Sequence, residues 1–255
     1  MMLRFPRIPV LLCILSLVSH PGCTVKENRD LCSARLELAF QPLETAAVVR
    51  LGTKTGPRTD TLPAGATEYH AEVERGTVPV LVRMPADLPF AAGSELRIPE
   101  GEECPEVRLF YREYEIRGER VRDSVRLRKN YCTLDLRVIS REGAVYSFAV
   151  VGGWCGYDGT GRPLAGTFRC GIRPDAEGRA RLRVPRQGDD ALLLELSAEN
   201  GTVRCFALGE YMREAGYDWT AEDLDDTEVI IDYVRTSITL SARGWIQTFV
   251  FEMVI

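Results

Sequence analysis

The chain has 255 residues, with 32 Lys or Arg against 37 Asp or Glu and a formal net charge of -5. A mild negative charge gives nucleic acid no field to bind, and two histidines in the whole chain exclude any site built from several His ligands. The length suffices for one large or two ordinary domains, each with its own core.

Arg4 and Arg7 precede an apolar run from Ile8 to Val18. That run has the length of an export signal and is too short to span a bilayer; an uncleaved N-terminal anchor helix is the alternative. It closes on Gly22-Cys23, a small residue before a cysteine, as a bacterial lipoprotein signal does. In such signals (residues 1–22 here) the thiol takes a diacylglycerol, the chain is cut in front of the cysteine, and the new amino terminus is acylated. Each buried methylene contributes about 0.8 kcal/mol, so several palmitate-length chains hold a domain at a membrane almost permanently. Thr24 to Asp30 is a polar, charged tether suited to lie among headgroups. His20 stands where a lipoprotein signal usually has Leu, with Pro21 next, and an ordinary cleaved signal with Cys23 free or paired is the other reading. Cys13 lies within the signal. Cys32, Cys104, Cys132, Cys155, Cys170 and Cys205 could form disulfides in an exported chain, but spacing does not assign pairs. Buried free thiols are the alternative. No CxxC is present, so neither a zinc ribbon nor a thioredoxin-type site is signalled.

Period-two alternation then dominates. It predicts strands at Leu36–Phe40, Tyr69–Val73, Val121–Leu127, Leu134–Val138 after a turn at Lys129-Asn130, Tyr146–Val151, Ala191–Leu196, Val229–Tyr233 and Ile238–Leu240. Breaks at Gly56-Pro57, Gly93, Gly118, Gly143, Gly159 to Pro163 and Gly188 separate them. Many short strands at this spacing predict antiparallel β-sandwiches. The polar break at Ser140–Gly143 predicts a division into residues 23–141 and 142–255. No repeat of 20 to 50 residues is visible. One short helix is predicted over Leu208–Ala215, ended by Gly216, and a second turn is expected from Thr220.

Several residues invite a chemical reading. With the signal removed His70 is the sole histidine, and alternation puts it on a polar face with Glu72 and Glu74, a poor place for a general base. Six acids from Asp218 to Glu228, with no basic residue between, could ligate calcium; a solvated acidic loop is the other reading. Arg120, Arg122, Arg126 and Arg128 form a stripe on the solvent face of a strand or hairpin. GGWCGYDGTG, beginning at Gly152, reads as a long loop whose Trp154 and Tyr157 either stack on a sugar or plug the end of a sandwich. The last residues, Ile246 to Ile255, are almost wholly apolar. Ile246, Thr248, Val250 and Val254 fall on one face and Phe249, Phe251, Met253 and Ile255 on the other. Such a strand must pair with a sheet, because exposed it would aggregate. It is either the closing strand of its own sandwich or an assembly strand given to a neighbour.

The signal ending in Cys23, the VKENRD that follows, and a cysteine just before the first strand resemble the opening of the FimB-like fimbrial anchor (minor fimbrial subunit) family of Bacteroidales. LGEYMREAGYDWTAEDLDDTEVIIDYVRTSITLSARGW resembles the end of those proteins, and YSFAVVGGWCGYDGTGRPLAGTF with LRVPRQGDDALLLEL resembles the centre. At the first strand this chain departs, with Cys32-Ser33-Ala34 where Cys-Pro-Cys is frequent. The resemblance implies an all-β chain of two tandem transthyretin-like antiparallel sandwiches with a short helix near the C-terminus. It also implies lipid anchorage at the outer membrane, fimbrial stalk subunits as partners, and a role in holding or limiting a fimbrial polymer. Catalysis, cofactor, metal and small-molecule substrate are not implied. The competing readings are a surface glycan-binding lipoprotein using Trp154, Tyr157 or segment 217–219, and a secreted hydrolase.

Overall fold

A computed structural model describes residues 32–88, 95–139, 146–198, 201–232, 235, 237–242 and 244–250. Cys23, Phe251, Met253 and Ile255 lie outside them. The alternating segments form strands, and the strands form two sandwiches. The first contains β1 (Ala34–Phe40), β2 (Ala47–Thr53), β3 (Gly56–Leu62), β4 (Glu68–Val73), β5 (Gly76–Met84), β7 (Arg108–Ile116), β8 (Arg120–Val125) and the short β9 (Arg128–Lys129), while the short β6 (Leu96–Arg97), between β5 and β7 in the chain, joins the second. The second contains β10 (Tyr131–Ile139), β11 (Tyr146–Tyr157), β12 (Pro163–Ile172), β13 (Arg179–Pro185), β14 (Leu193–Ala198) and β15 (Val203–Phe206), then helix α1 (Leu208–Glu214), β16 (Thr227–Asp232), β17 (Ser237–Ala242) and β18 (Trp245–Val250).

One pairing scheme is used twice. In the first sandwich a sheet ordered β4-β1-β8 faces a sheet ordered β3-β2-β5-β7-β9; in the second, β13-β10-β16-β17-β18 faces β12-β11-β14-β15. β1 pairs antiparallel with β4 and parallel with β8, just as β10 pairs antiparallel with β13 and parallel with β16. The hairpin β2–β3 corresponds to β11–β12, β5 to β14 and β7 to β15. β9 in the first sandwich and β17 and β18 in the second have no counterpart, and β6 stands outside the shared scheme. The sheets are antiparallel as expected, apart from a single parallel pair in each sandwich.

Inward residues of the first sandwich, including Leu36, Leu38, Val49, Leu51, Val80 and Ile116, make one core. Leu134, Leu136, Phe148, Val150, Phe168, Leu194 and Ile231 belong to the other. That second core also takes in Leu81 and Leu109, from β5 and β7. The division expected at 141/142 is not where the pairing changes. The break at 140–143 lies outside the described residues, but β10 before it is bonded on both sides to strands of the second sandwich. β6, from still earlier in the chain, pairs with β11.

Two further expectations change. GGWCGYDGTG is mainly strand: β11 runs to Tyr157 with register shifts around Trp154, and only the turn at 158–162 is loop. Asp158 Oδ1 accepts the N–H groups of Thr160 and Arg162 and the Thr160 hydroxyl there. The glycines misled because they serve close approach. A Cβ on Gly156, at φ +156°, would lie 1.8 Å from the Leu96 carbonyl oxygen, so β6 can dock only against a residue without one. Helix α1 forms as expected and ends with Gly216 at φ +90°. The turn expected to start at Thr220 lies at Trp219–Thr220 instead, where Asp218 Oδ1 accepts both the Thr220 N–H and its hydroxyl in an Asx turn.

Gly156→Ala is therefore expected to cost at least about 2–3 kcal/mol through overpacking and backbone strain, read as a lower Tm. An unchanged Tm would show that β6 is not fixed by this contact.

Candidate functional site

The acidic segment after α1 is a clasp rather than an open loop. Arg186, which follows β13, lies partly buried beneath it. Its Nη1 donates to the Trp219 and Ala221 carbonyls, its Nη2 to the Lys129 and Glu222 carbonyls, and its Nε to Asn130 Oδ1. Thus held, the segment turns its carboxylates onto the β8–β10 connector. Asp223 accepts Lys129 N–H at 2.7 Å and pairs with Arg126; Asp226 accepts Lys129 Nζ at 2.6 Å and Thr133 N–H at 2.7 Å; Glu222 pairs with Arg128. Glu228 accepts from the Ser241 hydroxyl. These acids are bound to protein groups, and among the described residues no cluster of three His, Cys, Asp or Glu is placed to hold a metal ion.

The expected arginine stripe splits in two. Arg126 and Arg128 belong to the clasp. Arg120 and Arg122, with Arg35, converge on Glu37, whose side chain is 6% exposed. The Arg122 hydrogen bond, aided by the charges of Arg120 and Arg35, holds this carboxyl below its usual range against the opposing effect of burial. His70 is on the exposed face of β4, 3.1 Å from Glu68, as alternation indicates.

The aromatic candidates are structural. Tyr157 is 0% exposed; its hydroxyl donates to the Asn130 carbonyl and accepts Arg186 N–H, so it plugs the sandwich and cannot meet a sugar. Trp154 lies against Gly188, where a Cβ would sit 2.4 Å from its ring, and its indole N–H is buried. Tyr217 and Trp219 stack edge to face at 4.8 Å and are both buried. The six described cysteines are free thiols, with Cys32 and Cys205 exposed. Burial pushes Cys104 and Cys132 up, the latter to about 12, so these thiols are inert at neutral pH.

Among the described residues β18 pairs with β17 alone and forms the edge of its sheet. Thus 245–250 close the chain's own sandwich. Trp245 and Phe249 pack towards the core, Phe249 at 4.8 Å from Tyr211. The opposite face is bare: Ile246 is 77% and Val250 78% exposed. The other outermost strands carry charge or proline: Arg58 and Asp60 on β3, Glu68 and Glu72 on β4, Arg122 on β8, Lys129 on β9, Pro163 on β12, Arg181 on β13, Arg204 on β15. Such residues block strand addition. WIQTFV of β18 has none.

Removing the Arg186 fork by Arg186→Met should cost about 2–4 kcal/mol, since several carbonyls lose their donors, and lower Tm by roughly 10 °C. The carboxylates give a pH signature. Asp226 is raised by burial but held below its usual range by Lys129 and Thr133, and Glu222 is held low by the Arg128 hydrogen bond. Their folded pKa values lie below the unfolded ones, so their contribution is complete above the unfolded values, about 4, and disappears as pH falls through the folded ones. Tm should fall more steeply below about pH 4 in the native chain than in Asp226→Asn; parallel curves would rule the clasp out as the acid-sensitive element.

No protein-family model matches this chain, and no curated protein matches it. Solved structures do match, over most of its length. A candidate polysaccharide-binding protein from Bacteroides thetaiotaomicron superposes with TM-score 0.62 at 10% identity, covering 85% of this chain and 98% of that one. A candidate adhesin from Bacteroides ovatus gives 0.61 at 11%, covering 86% and 96%. The fimbrial anchor protein Mfa2 from Porphyromonas gingivalis gives 0.59 at 13%, covering 84% and 99%. At these identities the likeness is one of fold: the chain has the tandem β-sandwich architecture found in a fimbrial anchor and a candidate adhesin of Bacteroidales.

Proposed function

We propose that the chain is a structural subunit of a fimbrium, tethered to the outer membrane through a lipid on Cys23 and acting as the anchor of the polymer. The observation that carries this reading is the tandem-sandwich fold, matched along 84% of this chain and 99% of the fimbrial anchor Mfa2. The sequence supports the finer points. Cys23 ends a signal-like run and a polar tether follows it. β1 begins at Ala34, which leaves little room for a prosegment removed at an arginine, as stalk subunits would need. Surface display also suits the exposed, uncharged β18. In this reading its backbone edge, with Ile246 and Val250 beside it, pairs with a strand of a stalk subunit.

Cys23→Ala should abolish labelling by a fatty-acid analogue and release both the protein and fimbriae into the medium. Fimbriae still attached and of normal length in that strain would sink the anchor reading. The paired change Ile246→Lys and Val250→Lys alters two exposed side chains, so stability should shift by no more than about 0.5 kcal/mol at each. Its incorporation into isolated fimbriae should drop at least about tenfold, because charge on an edge strand blocks pairing. Incorporation at the native level would remove β18 from the assembly surface.

A further inference from the structure

The outer face of the β3-β2-β5-β7-β9 sheet carries a second feature, independent of the fimbrial reading. The register sets Arg50 of β2 opposite Leu81 of β5, and Leu81 opposite Tyr111 of β7. The three side chains therefore form a row across the strands. Beside the row the surface is low: Gly52 lies against Pro79, and a Cβ there would be 2.4 Å from the proline ring. The turn after β11 faces this floor from the second sandwich with Gly159 and Thr160. Together they enclose a cavity of about 390 Å³, within the ~300–1,000 Å³ of small-molecule sites.

Its chemistry is specific. Among the described residues Arg50 is the only charged one lining the cavity. Among the described residues it has no hydrogen-bond or ion-pair partner. Arg83, whose Nη1 donates to the Leu88 carbonyl, follows Leu81 by two residues on the same face and adds positive field. The nearby acids are occupied: Glu113 accepts the Tyr111 hydroxyl at 2.7 Å, and Asp158 is engaged within its own turn. An unpaired guanidinium at the mouth of a cavity is suited to bidentate binding of a carboxylate. Tyr111 contributes a ring with a negative π face, which attracts the C–H groups of a flat saturated ring. The hydroxyl hydrogens of Thr53 and Thr160 are directed to the Gly56 carbonyl and Asp158; Thr53 also accepts the Thr55 hydroxyl at 3.1 Å, which leaves one oxygen lone pair on Thr53 and those of Thr160 for hydroxyl donors. One cation, one ring and two acceptors match a pyranose that bears a carboxylate. A neutral sugar would leave Arg50 unpaired.

We infer that this shelf binds a uronic acid residue of an acidic polysaccharide, with Arg50 on the carboxylate and Tyr111 under the ring. Isothermal titration of the chain with oligosaccharides of galacturonate, glucuronate and mannuronate, and with neutral oligomers of matching length, tests it. At least one uronate series should bind about tenfold or more tightly than its neutral counterpart, and more weakly as salt rises. Arg50→Gln should erase that preference, and Tyr111→Ala should weaken what remains. Thr160→Trp, which narrows the shelf from the opposite wall, should block binding while circular dichroism stays native. Absence of binding to every uronate, equal binding of neutral and acidic oligomers, or acidic binding that survives both Arg50→Gln and Thr160→Trp would each overturn the assignment.

Discussion

Backbone carbonyls in a loop that belongs to neither helix nor sheet must still find donors, and Arg186 supplies them at the point where the two sandwiches meet. A guanidinium has five N–H groups in a fixed plane; here they reach four carbonyls and one side-chain amide oxygen. A lysine ammonium, compact and with three donors, could not span that set. Among the described residues no carboxylate is hydrogen-bonded to Arg186. Burial lowers its pKa, while the fields of Tyr157, Tyr217, Asp218 and Asp223 oppose that effect. Fixing 219–222 in turn aims Glu222, Asp223 and Asp226 at Arg126, Arg128 and Lys129. These ion pairs are partly exposed, and pairs of that kind contribute little one by one. Asp223 and Asp226 also accept the backbone N–H groups of Lys129 and Thr133, so they cap the connector as well as pair with it. The acidity of the segment is used inside the protein.

Alternation made some strands legible and hid others. β1, β4 and β10 face solvent on one side, so every second residue is polar and the period shows. β2 and β5 are covered further, β2 being buried at four consecutive or nearly consecutive positions, and a strand covered on both faces loses its period. The break expected at Gly56-Pro57 lies within β3. The glycines of β11 read as loop because glycine is a turn former in most settings; only the structure reveals that Gly156 passes the Leu96 carbonyl. Arg186 left no signal at all. Its partners are backbone carbonyls, which every residue has, so no spacing of side chains could betray it. The duplication was hidden for a related reason: its pairing scheme rests on backbone hydrogen bonds, which are indifferent to side-chain identity. Arg50 and Tyr111, 61 positions apart in chain numbering, become neighbours only through the β2–β5–β7 register.

A sheet edge must be paired, covered or charged, and the two copies of the duplicated module meet that requirement differently. In the first, β8 is the outermost strand beside β1. Its inward-facing Asp123 accepts hydrogen bonds from the Tyr114 hydroxyl and Arg112, each at 2.6 Å. A carboxylate held there makes the edge unfit for another apolar strand, since an incoming chain would have to desolvate it. In the second copy the corresponding strand is β16, and its inward positions are Thr227, Val229 and Ile231, all buried. With no charge to guard it, that edge is covered instead, by β17 and then β18. Covering moves the problem outward by two strands rather than ending it. β17 is masked on both sides, and the requirement falls on β18, which has neither a charged residue nor a proline and presents Ile246 and Val250 to solvent. Among the described residues β18 is thus the outermost strand that meets the requirement neither by pairing nor by charge, and this is the physical ground of the pairing proposed for it.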